Sequence, residues 1–134
     1  MISPNDIQES ILTRLQATTA LVALLAGTTS IKADQWQGST FVYPAVRINL
    51  GMISPIANCN GSTVIFGIEC YSELASEKEA NNIADAVNDA LHGKEFTSGT
   101  VRFSNYSRGL VPAIRSDERT WRAEALFQAT ISPA

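Results

Sequence analysis

Few residues of this chain could carry out catalysis, and they do not form a recognisable motif. His92 is the only histidine, and neither Cys59 nor Cys70 has a second cysteine or histidine at the spacing of zinc ligands. Asp85 and Asp89 lie four residues apart and could act as an acid–base pair. A solvated or partner-facing acidic surface explains them more simply. We therefore expect a non-enzymatic protein without catalytic residues, metal site or cofactor.

The composition is that of a small folded protein. The 134 residues are 45% hydrophobic and 17% charged, which favours one domain over 1–134 and argues against disorder. The net charge of −3 gives no support for general nucleic-acid binding. The start of the chain lacks the features of a signal peptide, and the longest apolar run, ALVALLAG, is too short to span a membrane. We expect a soluble protein made in a cytoplasm, with reduced cysteines.

The N-terminal region has the pattern of an amphipathic helix. Ser3 followed by Pro4 is typical of an N-cap and a first helical position. Ile7, Ile11 and Leu15 then recur at a spacing of four residues, which places them on one helical face. The pattern predicts a helix over 4–26, with a bend near Thr18. A short strand is expected in TSIKA.

Alternating apolar residues predict strands further along the chain. The first run begins at Ala45, and a Pro-, Asn- and Gly-containing turn separates it from a second run, so the two form an antiparallel hairpin. Two further strands are expected in TVRFSNYS and RTWRAEALFQATI, with a long loop, RGLVPAIRSDE, between them. The apolar face of the first two of these strands and of the last one comprises Val46, Ile48, Leu50, Met52, Val64, Phe66, Ile68, Cys70, Trp121, Ala123, Ala125, Phe127, Ala129 and Ile131.

The segment SEKEANNIADAVNDALHG, residues 76–93, predicts a helix with a start, an apolar stripe and a stop. Ser76 and Glu79 fit a capping box, and Gly93 suits a helix end. The stripe is rich in alanine, which allows a helix to pack closely on a sheet. Together these elements predict an α+β fold, with a mainly antiparallel sheet and helices packed on one face.

Charge is distributed unevenly along the chain. Residues 73–95 carry six acidic and two basic side chains, a local net charge of −4, whereas residues 102–122 carry five arginines and two acidic residues, a local net charge of +3. The two regions either neutralise each other within one subunit, remain solvated, or meet across a contact between subunits. In the last case complementary charge would set register and partner choice more than affinity.

The expected long loop also holds apolar residues, which either fold under the sheet or contact a partner. We favour partner contact for this loop. The candidate contact residues are then Asp85, Asp89, Arg108, Arg115, Arg119, Arg122, Leu110, Val111 and Ile114.

The order of these segments resembles that of the tail terminator, or tail-completion, proteins of long-tailed bacteriophages, including the lambda-type minor tail protein. The matching segments are TTALVALLAG, YPAVRINL, STVIFGIECYS with the helical segment that follows it, VRFSNYS and RTWRAEALFQATI. The similarity extends over nearly the whole chain and is weakest over 94–118.

The resemblance implies a structural virion protein assembled in the host cytoplasm and located at the head-proximal end of the tail. Such a subunit would form a ring with copies of itself, with a hexamer expected. The ring would cap the tail tube protein, offer a surface to a head-completion or connector protein, and let DNA pass through its lumen without sequence-specific binding. The alternatives are a head-side connector or neck protein, a subunit of a contractile or prophage-derived particle, and a small ligand-binding or enzymatic α+β domain.

Overall fold

A computed structural model describes residues 3–25, 30–32, 44–56, 61–73, 77–98, 101–115 and 120–133. Within these ranges the chain forms three helices and six strands. In chain order they are α1 (Pro4–Gln16), α2 (Thr19–Val22), β1 (Ile31–Lys32), β2 (Ala45–Pro55), β3 (Ser62–Ser72), α3 (Lys78–Leu91), β4 (Glu95–Ser98), β5 (Val101–Arg115) and β6 (Trp121–Pro133). In the same ranges, no helix has the length and apolar character needed to cross a membrane.

The strands form a single sheet in the order β1-β2-β3-β6-β5-β4. The short strand β1 runs parallel to β2, and every other neighbouring pair is antiparallel. The helices pack on one side, with α3 against β3, β5 and β6, and α1 against β2 and the two edge strands. The predicted α+β class with a mainly antiparallel sheet is therefore confirmed.

The N-terminal helical region is broken where the sequence predicts a bend. Ser3 caps α1 by accepting a hydrogen bond from the Asn5 amide at 3.3 Å. At the other end, the Thr18 hydroxyl donates to the Arg14 carbonyl at 2.9 Å, and Thr18 has an extended backbone before α2. A threonine hydroxyl that satisfies a terminal carbonyl in this way stabilises the end of α1.

The core lies between the helices and one face of the sheet, which we call the helix-covered face. Alternate residues of β3 and β6 point into it, because side chains on a strand alternate between faces. Phe66 and Phe127 stack there with ring centroids 5.4 Å apart. Ile7, Ile11 and Leu15 of α1 are fully buried in the same core, as the predicted stripe requires.

Helix α3 covers the sheet with the predicted alanine-rich stripe, of which Ala80, Ile83, Ala84, Val87, Ala90 and Leu91 are buried. It is followed by Gly93, whose φ of 66° lies in the left-handed region where glycine is favoured. Its start differs from the prediction. The helix begins at Lys78, Ser76 lies outside the described residues, and the Glu79 carboxylate accepts a hydrogen bond from the Ser72 hydroxyl at 2.7 Å.

Three details of the predicted strands are wrong. Residues 108–115 continue β5 rather than forming a loop, and Glu95–Ser98 form a strand that alternation did not reveal. Met52 does not share the face of Ile48. The register between β2 and β3 shifts after Leu50, so Met52 sits in a bulge and is 70% exposed.

Candidate interaction surfaces

The acidic residues expected at a subunit contact lie on the outer side of α3. Asp85 and Asp89 are both exposed and point away from the buried stripe of the helix. One helical turn separates them, so their carboxylates present negative charge on one patch. We call Asp85 and Asp89 the acidic patch.

The expected arginine contacts that the structure describes lie on β5 and β6. Arg108 and Arg115 are exposed on β5, and Arg119 lies outside the described residues. The Arg115 guanidinium lies over the Trp121 ring, 4.8 Å from its centroid. Arg122 is partly exposed on β6 and lies 4.0 Å from a carboxylate oxygen of Glu69, so it already has an ionic partner within the subunit.

The three apolar candidates are exposed, but the structure does not bring them onto one surface. Leu110 pairs with Ala125 and shares its helix-covered side. Val111 pairs with Glu124, and Ile114 pairs with Arg122, which places both on the opposite side. We call this opposite side the helix-free face, since none of the described helices packs on it.

The outer edge of β5 is covered by polar side chains of α3 and the residue that follows it. The Ala113 amide donates to the side-chain oxygen of Asn81 at 2.8 Å, and the Ser107 amide donates to Nδ1 of His92 at 2.9 Å. Between them, the Gly109 amide donates to the Ser107 hydroxyl at 3.1 Å. His92 is thus an exposed residue at a helix end, and its ring also holds β5 in place.

A charged cluster that the sequence did not single out lies at the centre of the helix-free face. Glu69 is only 3% exposed, although it carries a carboxylate. Arg47 donates to it at 3.2 Å, Asn49 at 3.4 Å, and the Tyr71 hydroxyl also donates to it. These partners come from β2 and β3, and Arg122 adds a third strand, so the cluster ties three strands together.

Glu124 lies directly opposite Glu69 across the β3–β6 pair. Partial burial, together with the negative charge of Glu69, raises the pKa of Glu124, and Arg122 and Arg47 oppose that rise. Burial and the hydrogen bond to Glu69 raise the pKa of Tyr71 to about 12. Gly67 leaves room for this arrangement, since a Cβ at that position would lie 2.7 Å from a Glu124 carboxylate oxygen.

Two glutamates with different environments are a pattern that enzymes use for acid–base chemistry. Here, however, Glu69 is engaged by the donors of three strands, and Glu124 lies on an open sheet surface. Among the described residues, no three His, Cys, Asp or Glu side chains are grouped so that they could hold a metal ion. Cys70 faces the core, where burial raises the pKa of its thiol and keeps it protonated.

A pocket of about 180 Å³ lies between the end of α1 and β4. Its walls are Thr13, Arg14, Ala17, Phe96 and Thr97. The Arg14 guanidinium lies over the Phe96 ring at 5.0 Å, and Phe96 stacks on Phe103 at 4.9 Å. The pocket is smaller than the usual few hundred Å³ of a small-molecule site. The sequence did not reveal it, because β4, which supplies Phe96, was not predicted.

Comparisons with known proteins agree with this architecture. The family model described as "Tail completion protein gp17" matches residues 9–132. The fold is similar to that of a chain in a structure titled "Virion of native gene transfer agent (GTA) particle", with a TM-score of 0.75 and 22% sequence identity, covering 96% of this chain and 95% of that chain. The comparison with curated protein sequences found no match.

Proposed function

This chain belongs to the tail completion protein gp17 family, and on that premise we propose that it caps a tail tube as a ring and provides the head-joining surface. The role that the family membership supports is structural completion of a virion tail. More specifically, we propose a hexameric ring at the head-proximal end of the tail. Its partners are copies of itself, the tail tube protein and a head-completion or connector protein.

One observation is the main support for the ring proposal. Two patches of different character lie on opposite sides of the subunit. The acidic patch lies on the outer side of α3, beyond the helix-covered face. Val111, Ile114 and Arg122 lie on the helix-free face, with Arg108 at the neighbouring bulge of β5. A closed ring needs head-to-tail contacts between two different patches, and patches facing opposite directions suit that geometry.

Charge supports the same pairing of patches. Residues 101–115 contain three arginines and no acidic residue, whereas the acidic patch lies on a segment of net negative charge. Among the described residues, the ion pairs join Glu69 to Arg47 and Arg122, and none joins the acidic patch to Arg108. The acidic patch and the exposed Arg108 thus have complementary charge and no ion pair with each other in the same subunit, so they can steer association between subunits.

A ring at this position would have a lumen through which DNA passes during ejection. The phosphate backbone binds basic surfaces strongly and without sequence preference. Acidic or neutral residues on the lumen wall would let DNA slide. The acidic patch therefore has two possible places, a subunit contact or the lumen, and the charge pairing above leads us to propose the contact. We further propose that the subunit is one domain and has no enzymatic activity.

The proposal is tested by measuring the mass of the purified chain and imaging it with tail tubes. Sedimentation velocity over a range of concentrations should reveal a discrete ring species, and negative-stain microscopy should show it on tube ends. Reversing the acidic patch with Asp85→Lys and Asp89→Lys should weaken ring formation by about tenfold or more in dissociation constant. Reversing two exposed acids of α1, with Asp6→Lys and Glu9→Lys, is the matched control and should leave assembly intact.

A chain that stays monomeric at all concentrations and never decorates tube ends would contradict the ring. Equal weakening by the α3 and α1 variants would indicate that bulk charge, rather than the acidic patch, governs association. Arg122 is unsuitable for this test, because its reversal would also disturb the contact with Glu69 inside the subunit.

A further inference from the structure

Arg14 has a donor that the subunit leaves unused. Its Nε is buried and has no hydrogen-bond partner among the described residues, although the guanidinium carries a full charge. A buried donor without an acceptor costs about 1–3 kcal/mol, and more when it is charged. The Arg14 side chain as a whole is only partly buried, so the subunit itself encloses the Nε while other atoms of the side chain face solvent.

The helix dipole explains the charge at this position but not the unused donor. Arg14 lies in the last turn of α1, where a positive charge is favourable. The carbonyl of Arg14 is satisfied by the Thr18 hydroxyl at 2.9 Å, so the backbone around it is complete. Neither feature supplies an acceptor for the guanidinium.

The aromatic stack fixes the orientation of the guanidinium. Phe103 is fully buried on β5 and holds Phe96 by stacking with an interplanar angle of 13°. Phe96 in turn supports the face of Arg14. With its face against an aromatic ring, a guanidinium presents its N–H groups at its edge, where a planar carboxylate can accept two hydrogen bonds.

The pocket dimensions fit an inserted side chain. A volume of about 180 Å³ is enough for an acidic side chain, and Thr97 adds a polar wall. The pocket also adjoins the basic strand, since Thr97 pairs with Arg102 of β5. The pocket lies on the helix-covered side, because Phe96 stacks on the buried Phe103 there, so its positive charge comes from Arg14.

From this geometry we infer that the Arg14–Phe96 pocket receives an aspartate of the acidic patch from a second copy of this chain. The inference rests on the proposed ring and adds to it a contact on the helix-covered side, at the β4 edge of the sheet. Asp85 and Asp89 suit the role because they are exposed, one turn apart, and without an ion pair among the described residues. Removing an acceptor from a partly buried arginine is expected to affect dissociation more than encounter.

Charge exchange between two variants provides the test. Arg14→Glu alone and the Asp85→Lys/Asp89→Lys variant alone should each raise the dissociation constant for self-association by about tenfold or more. Mixed in equal amounts, they should recover ring formation to within about threefold of the unmodified chain, because each pocket then meets a helix of opposite charge. Sedimentation velocity of each protein and of the mixture measures all three values.

Lys94→Glu is the matched control, since Lys94 is exposed beside β4 but does not line the pocket. It should change the dissociation constant by less than about threefold, as expected for a rim charge. Arg14→Gln removes the guanidinium without reversing charge and should reproduce the loss. It keeps the test valid if thermal melts show that Arg14→Glu does not fold.

The outcomes separate this inference from the proposed function. Rings that form normally with both Arg14→Glu and Arg14→Gln would overturn the pocket contact and leave the ring proposal standing. Rings that form but no longer bind tube ends would show that the pocket receives another protein, which also overturns the inference. An unmodified chain that never assembles would overturn both proposals together.

Discussion

The two faces of the sheet bury their side chains by different means. On β3, Ile68 and Cys70 point to the helix-covered face and are fully buried beneath the helices. Glu69 lies between them, points the other way, and is also almost completely buried. Its cover consists of its own partners, Arg47 and Tyr71, rather than of a helix.

This difference separates two sources of stability. The helix-covered face is stabilised by removing apolar area from water, which depends on size and shape. The helix-free face depends on matched charges and hydrogen bonds, which stabilise only when every member is present. The same strand therefore responds to substitution according to which face the residue occupies.

The largest contrast is expected between two neighbours on β3. Phe66→Ala removes a ring that stacks on Phe127 in the core and should lower the free energy of unfolding by about 3–5 kcal/mol. Ile65→Ala, one residue earlier on the helix-free face and 37% exposed, should cost less than about 1 kcal/mol. Urea unfolding of both variants measures the difference, and similar losses would erase the proposed distinction between the faces.

The next contrast lies within the charged cluster and concerns its two glutamates. Glu69→Gln leaves Arg47 without its carboxylate partner and should lower the free energy of unfolding by about 2 kcal/mol at pH 7. Glu124→Gln should do the opposite and raise it by a few tenths of a kcal/mol, because solvent screening limits the effect of a partly exposed group. If the two Glu→Gln changes shift the free energy of unfolding in opposite directions, Glu69 is the residue around which the charged cluster is organised.

The gain from Glu124→Gln should depend on pH. Because the pKa of Glu124 is raised in the folded protein, its ionisation favours the unfolded chain as pH rises through the folded value. The difference between variant and parent should therefore be present at pH 7 and disappear on acidification below the unfolded pKa. A difference that grows on acidification would contradict the assigned direction.

A further contrast concerns a polar residue on the helix-covered face. Asn105 is 1% exposed on the helix-covered side of β5, and both polar atoms of its side chain lack a hydrogen-bond partner among the described residues. Asn105→Leu has a similar shape and should raise the free energy of unfolding by about 1 kcal/mol. Loss of stability in thermal melts would instead point to a buried water held by the amide.

The helix-covered face was largely predictable from the sequence because its residues follow a regular period. Phe127 and its alternating neighbours on β6 pair with β3 without a register shift, so the apolar pattern is undisturbed. Met52 departs from the alternating pattern because the bulge after Leu50 adds a residue to one strand only. A local pattern cannot reveal a change of register that depends on the partner strand.

The remaining features depend on contacts between distant segments. Gly109 and Pro112 are typical of loops, yet both lie at irregular positions of β5, where the paired register with β6 shifts. The alternation of β3 places Glu69 on the face opposite Ile68 and Cys70, but its burial requires side chains from three strands. Arg14 became a candidate site only when β4 brought Phe96 beside it.

The covered edge of β5 has a consequence for how copies of this protein can add to one another. An exposed strand edge offers free amides on which another chain can build a further strand. Here Asn81 and His92 occupy the Ala113 and Ser107 amides, and Pro112 has no amide hydrogen to offer. Another chain therefore cannot add a strand along this edge of β5, so fibril growth by strand addition is blocked there.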